Sequence, residues 1–278
     1  MITDNPFSAL SETLPVSLIQ AYVLAMFVLV VLGTLIDVVH KKSATYFFAN
    51  AQKAQKQAKK KLSSADRRAV AFKTVAEDVL TSAEFCNPKR RMSHLLTMYG
   101  FLTFIITTVL LVFVYPKSSA PVLSMLWHLG ALMVLVGGLW FWFFIRVDLA
   151  AEGNPWNRIV KADMFILSLL ATTGLGLIWS ILQSMGAQGW TTLFLILFII
   201  ASTVLFGGVI WSKFAHMFFK PAAAYQKRIA KADGSLDMLP APADRNDPAD
   251  RDRHSMELLQ GAPMNMGLGI KREAPQHY

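Results

Sequence analysis

The sequence predicts an all-α integral membrane protein, a bundle of five transmembrane helices with its N-terminus outside and its C-terminus in the cytoplasm. Three observations carry that expectation. Of 278 residues, 54% are hydrophobic, and they are gathered into blocks instead of being spread as in a soluble chain. Five blocks reach the roughly 20 residues that a helix needs to cross about 30 Å of hydrocarbon. The formal charge of +9 is carried mainly by alternate connections between those blocks, a bias that sets orientation in a membrane.

The five spans are expected at about Val16–Val39, Leu95–Tyr115, Val122–Ile145, Met164–Leu182 and Thr191–Trp211. Runs such as LIQAYVLAMFVLVVLGTLI have no polar face to turn to water. The connection 41–93 carries thirteen Lys/Arg against four acids, and 146–161 adds Arg146, Arg158 and Lys161. The first fifteen residues hold Asp4 and Glu12 and no base; the connection after span two has only Lys117, and the one after span four has no charge. Basic loops face the cytoplasm. The chain divides accordingly into 1–40 (outer N-terminus and first span), a basic cytoplasmic loop 41–93, a bundle 94–219, and a cytoplasmic tail 220–278. No secretory signal is expected, because the N-terminus lacks a basic region and its apolar block is too long. The single cysteine, Cys86, excludes an internal disulfide and a four-cysteine cluster or zinc site.

Two inserts stand outside the bundle. In the loop, KAQKQAKKK (53–61) reads as a solvated basic helix or a surface for anionic headgroups. The next stretch reads as a helix with Ser64 as N-cap and one apolar stripe of Ala69, Phe72, Ala76 and Val79. That stripe must lie on the membrane surface or on a partner protein. The tail holds nine Lys/Arg, eight Asp/Glu and several prolines, so it has little to bury and no reason to fold alone. Its end, HSMELLQGAPMNMGLGIKREAPQHY, regains spaced apolar residues; it is either a disordered end or a segment that orders on a cytoplasmic partner.

Ionisable groups in or at the membrane are the residues that carry chemistry. His40 ends span one, His94 opens span two and His216 follows span five, all near the cytoplasmic face. His128 lies in span three, about 10 Å below the outer surface at 1.5 Å per residue. Two histidines at one depth on different helices suit a bis-histidine b-type haem, and Arg91 and Lys213, one turn from His94 and His216, suit its propionates. An interfacial histidine also has a plainer reading as an amphipathic edge residue. His128 serves as a helix–helix hydrogen bond, a proton-carrying group at a quinone site, or a haem ligand with an unusual partner. Asp37 pairs with a loop lysine or orients His40. Glycines in spans three to five permit close helix contact. No phosphate loop, dinucleotide fingerprint, HExxH or paired carboxylates occur, so any substrate chemistry belongs to another chain.

The stretches RRMSHLLTMYGFLTFIITT (90–108), LGALMVLVGGLWFWFFIR (129–146), ADMFILSLLATTGLGL (162–177) and WSKFAHMFFKPAAAYQKR (211–228) resemble the b-type membrane subunits of anaerobic respiratory complexes, which include the gamma subunit of respiratory nitrate reductase. The resemblance implies a haem b on the cytoplasmic side, held by His94 and His216. A second haem would need histidines where this chain has Phe104 and Phe198, so one haem or none is implied. The basic insert, KFAHMFFKPAAAYQKR and the terminal MGLGIKREAPQHY more specifically resemble the membrane anchors of adenylylsulfate reductase in sulfur-oxidising bacteria. That likeness implies a bacterial inner-membrane protein, N-terminus periplasmic, docked to a flavoprotein and an iron–sulfur subunit that oxidise sulfite with AMP. This chain would then be a redox subunit without a catalytic centre, passing the electrons to quinone. Two other classes remain open: a haem-free structural anchor for the same enzyme, and a small transporter or permease.

Overall fold

The computed structural model describes residues 2–40, 43–83, 85, 87–146, 157–212, 214, 216–235 and 247–249, with the side chains of 43–46 and of His216 left out. Among these residues every regular element is helical. We number them α1 (Pro6–Leu10), α2 (Val16–His40), α3 (Ser43–Lys56), α4 (Ser64–Lys73), α5 (Pro88–Val109), α6 (Pro121–Trp140), α7 (Met164–Ser184), α8 (Gln188–Gly207) and α9 (His216–Ala232). The chain forms two compact units, Met1–Tyr46 with Pro88–Pro221, and Phe47–Asn87 with Ala222–Tyr278.

The first unit holds five helices long and apolar enough to span a membrane: Val16–His40, Pro88–Val114, Pro121–Ile145, Lys161–Ser184 and Gln188–Ile210. This is the expected multi-pass membrane architecture, since a helix satisfies its own backbone groups in hydrocarbon. Their bounds fall close to the expected ones, apart from the second, which starts seven residues early at Pro88. Proline is tolerated at a first helical position because its missing N–H has no helical partner there. Lys89, Arg90 and Arg91 therefore lie within the first turns of α5 and not before it. Spans two and three each end in a wider π-helical turn, Leu110–Val114 and Phe141–Ile145.

The third span is the most enclosed, with 44% of its apolar window buried, and the first the least, with 17%. Contact between α5 and α6 is backbone to backbone. A Cβ added to Gly100 would lie 2.8 Å from the Gly130 carbonyl oxygen, and one on Gly130 would lie 2.8 Å from the Phe104 amide. Near the other end of this interface Ser93 Oγ donates to the Gly137 carbonyl at 2.8 Å. The unit has two apolar cores. One, at the α1 end, comprises Phe7, Phe104, Leu111, Val112, Trp127, Ala131, Trp179 and Phe198. The other joins Phe101, Val134, Ile166, Leu169, Leu205, Val209 and Phe214. The core at the α1 end is roofed by α1 itself. Asn5 caps that helix by accepting from the Phe7 amide at 3.0 Å, and its Nδ2 donates to the carbonyls of Tyr115 and Ser118, both at 2.9 Å.

In the second unit, Ser63 and not Ser64 is the N-cap of α4. Its hydroxyl accepts from the Asp66 amide at 3.1 Å while its own amide donates to Asp66 Oδ2 at 3.0 Å. This reciprocal box needs an acid three residues on, and only Ser63 has one. The helix runs on as a π-helical segment, Thr74–Leu80. KAQKQAKKK is helical only to Lys56; the amides of Lys59 and Lys60 donate instead to the Asp233 carbonyl at 2.9 and 3.0 Å. The start of the tail packs with the loop: Arg228 Nη2 donates to Asp78 Oδ1 at 2.8 Å and to Glu77 Oε2 at 2.7 Å. Ile229 and Ala230 of α9 and Ala54 of α3 are buried. The tail's remainder, including its methionine-rich end, lies outside the described residues apart from 247–249. Cys86 lies outside them too.

Candidate functional site

The first candidate site is the histidine-bearing end of the bundle. Ser93, buried against Gly137, fixes the rotation of α5 and leaves the next residue, His94, exposed. His94 shares a helix face with Phe101, seven residues and about 10 Å further into the bundle. Phe101 in turn meets Phe214 edge to face, ring centroids 6.4 Å apart. Phe214 also touches Phe165, Phe206 and Phe218, at 5.3, 6.1 and 6.2 Å. The face of α5 that carries His94 thus leads to the segment just before His216, the first residue of α9. Lys213 lies outside the described residues. Arg91 is half-buried one turn before His94. His40 is exposed at the end of α2, while Asp37, three residues earlier, is buried.

Of the donor set expected for a bis-imidazole haem, the described residues include only the part on α5 and the ring cluster beside it, the His216 side chain lying outside them. The imidazole of His94 is accessible, a guanidinium stands one turn away, and the ring cluster around Phe214 provides an apolar wall on the core side. At the other end the positions of Phe104 and Phe198 are taken up by aromatic packing. Phe104 lies against Trp127 at 5.0 Å, and Phe198 stacks on Trp179 at 5.6 Å with 12° between the rings.

His128, the third sequence-derived candidate, sits between two helices with both ring nitrogens engaged. Its Nδ1 donates to the Ser124 carbonyl at 2.7 Å, and its Nε2 accepts from Ser180 Oγ of α7 at 2.8 Å. The carbonyl can only accept, which fixes the proton on Nδ1 for the neutral ring. Trp127 stands edge-on to it at 5.0 Å and donates its Nε1–H to Thr108 Oγ1 at 2.9 Å. The imidazole therefore cross-links spans three and four.

Three groups were not singled out from the sequence. Arg146 and Asp163 form an ion pair between spans three and four, their side chains 8% and 11% exposed. Arg146 Nε donates to Asp163 Oδ1 at 2.9 Å, its Nη2 reaches Asp163 Oδ2 and the Arg158 carbonyl, and its guanidinium lies 4.0 Å from the Trp142 ring centre. The second group is the Arg228–Glu77–Asp78 cluster of the other unit. Arg228 holds the Asp78 carboxyl below the usual carboxylate range, chiefly by hydrogen bonding. The third is the cage of Phe7, Trp127 and Trp179 at the α1 end. Among the described residues no three His, Cys, Asp or Glu converge on a metal-sized site. Compared with protein-family models, curated proteins and solved structures, the chain matches none.

Proposed function

We propose that this chain is the membrane anchor and electron-transfer subunit of a cytoplasmic flavin and iron–sulfur enzyme, of the adenylylsulfate reductase kind, delivering electrons to quinone. The observation that carries the anchoring half is the second unit. Two segments far apart in sequence, 47–87 and the start of the tail, are tied into one body by Arg228, Glu77 and Asp78. That body leaves Phe72 (78% exposed), Val75 and Leu80 open beside Arg67, Arg68 and Lys73. Apolar residues rimmed by charge suit a protein partner. The positive-inside bias supports a cytoplasmic place for this body, and the family resemblance supports the bacterial inner membrane.

The electron-transfer half rests on His94 and His216, with Arg91 and Lys213 beside them for propionates. A haem held there supplies a one-electron centre. The chain supplies two imidazoles, an apolar wall at Phe214 and cations at the membrane edge. A second reading, the haem-free structural anchor, is favoured by the aromatic filling of the α1 end, which leaves no relay of imidazoles across the bundle.

The absorption spectrum of the reduced, purified protein separates the two. The redox reading expects b-type bands that vanish in His94→Ala and in His216→Ala and persist in His40→Ala. A full-length protein without bands, with haem absent on extraction, leaves the anchor reading alone. Capture of the flavin and iron–sulfur subunits, lost in Phe72→Asp, tests the docking half. Retention of both subunits by that variant refutes it.

A further inference from the structure

The second unit carries lysines that its own carboxylates do not answer. Lys53 and Lys56 close α3, Lys59, Lys60 and Lys61 follow it, and Lys227 and Lys231 lie one turn apart on α9. All are exposed, and none makes an ion pair among the described residues. The acids of 47–83 and 222–235 are committed elsewhere in the unit. Asp66 closes the box on Ser63, Glu77 and Asp78 hold Arg228, and the buried Asp233 accepts from the Ser235 amide at 2.9 Å.

The fold gathers these lysines from two distant places in the sequence. The amides of Lys59 and Lys60 both donate to the Asp233 carbonyl, at 2.9 and 3.0 Å. The Lys59 side chain passes over Gly234, where an added Cβ would lie 3.3 Å from Lys59 Cβ. That seam brings the end of α3 to the end of α9, so 53–61 and 227–231 meet in one surface. The negative ends of the two helices account for Lys53, Lys56 and Lys231. They do not account for Lys59, Lys60, Lys61 and Lys227.

Composition decides which counter-charge fits. Between Gln52 and Lys61, and along 222–235, no large apolar side chain is exposed. Lysine is depleted at protein–protein interfaces, which are anchored by aromatic residues, methionine and arginine. The α4 face, with Phe72 beside Arg67 and Arg68, has that character; the lysine surface does not. A polybasic surface without apolar anchors suits a fluid, multivalent anion, the headgroup layer of acidic phospholipids. The chain keeps such a layer within reach. Residues 41–42 join α3 to the first span, Pro88 opens the second directly after Asn87, and 211–215 join α9 to the fifth.

We propose that the lysine surface formed by 53–61 and α9 binds the headgroups of anionic phospholipids and so orients the second unit on the membrane that carries it. The ammonium groups act as point charges toward lipid phosphate oxygens, and lipid diffusion lets several headgroups collect without a fixed pocket. Neither haem nor a docked enzyme is required, so this proposal can fail while the reading above holds, and the reverse.

The test places the full-length protein alone in nanodiscs of phosphatidylcholine, and in nanodiscs with an equal share of phosphatidylglycerol. Lysine acetylation by sulfo-NHS acetate is followed residue by residue with mass spectrometry. Phosphatidylglycerol is expected to slow the reaction about threefold or more at Lys56, Lys59, Lys60, Lys61, Lys227 and Lys231, and about 0.5 M NaCl is expected to restore it. Lys73, beside Phe72, and Lys117, between spans two and three, are expected to change far less. Lys56→Gln/Lys60→Gln/Lys61→Gln removes three exposed charges and is expected to cut the protection of Lys227 and Lys231 about twofold. Equal rates in the two nanodiscs overturn the proposal, as does protection that salt leaves in place. Slowing of Lys73 to the same degree overturns it too, since the effect then belongs to the whole unit. So does protection that appears only when a cytoplasmic redox enzyme is added, which assigns the surface to a protein.

Discussion

Replacing Asp163 with alanine removes the carboxylate that pairs with the almost fully enclosed Arg146 guanidinium beside spans three and four. The side chains are 8% and 11% exposed, so solvent screens the loss little, and breaking one half of such a pair costs about 3–5 kcal/mol. Asp163 also accepts from the Val160 amide at 2.9 Å, and losing that acceptor adds about 1 kcal/mol. Asp163→Asn keeps an acceptor for Val160 and still removes the paired carboxylate charge, so it is expected to recover only that last increment. The double variant Arg146→Met/Asp163→Leu removes both charges and refills the space, and replacing a whole buried pair by apolar residues is often near neutral. Its expected loss is therefore about 1–2 kcal/mol, well below that of Asp163→Ala. Reversible unfolding of purified protein in mixed micelles, run on wild type and the three variants, measures these differences. Single variants within about 0.5 kcal/mol of wild type would refute the argument. A double variant as unstable as Asp163→Ala would show that shape, not charge, carries the site.

Gly100→Leu forces a side chain onto the α6 backbone, where even a Cβ lies 2.8 Å from the Gly130 oxygen, and should destabilise the bundle by about 1–3 kcal/mol or prevent its assembly, read by the same unfolding assay. Ser180→Ala leaves His128 Nε2 without its donor and should lose about 1 kcal/mol, while the ring's ¹⁵N shifts report the change of environment. Arg228→Ala should free the start of the tail from the loop, seen as faster amide exchange at Lys59, Lys60 and 222–235. Asp78 follows the same bond in pH. Its carboxyl is held below the usual range in the folded unit, so its contribution is present above about pH 4 and lost as pH falls through the lowered value. Protection of 222–235 should therefore hold at neutral pH and weaken only in acid; protection that fails between pH 6 and 8 would assign the tie to other groups.

The spans were readable because length and apolar content are local properties of the chain. Where the reading slipped, the missing information was either a capping rule or a distant partner. Ser63 differs from Ser64 only in having Asp66 at the third position, a distinction visible in sequence once the box is required. α1 is too short to show periodicity, yet Asn5-Pro6 is the pairing that opens a helix. The partners of Arg146, His128 and Arg228 lie 17, 52 and 150 residues away, and no local pattern encodes such distances. The apolar stripe Ala69, Phe72, Ala76, Val79 marked a real helix, of which Ala69 and Phe72 are exposed, as a stripe meant for a membrane surface or a partner requires. Ala76 and Val79, in the π-helical segment that follows α4, are half-buried.

The two ends of the bundle differ in what they leave open, and that difference organises the functional reading. At the α1 end His128 has both nitrogens bound and the core is closed by five aromatic rings, so a resident redox group would have to displace structure that stabilises the fold. At the other end His94 is held outward by a neighbour, Ser93, that is itself locked to Gly137. The His94 imidazole is thus placed by a rigid backbone and not by its own burial. Losing His94 should accordingly cost function and little stability, whereas losing His128 should cost stability first. Fold and candidate site are separable on that ground: a chain that remains folded with His94 replaced isolates the contribution of the proposed centre from that of the anchor.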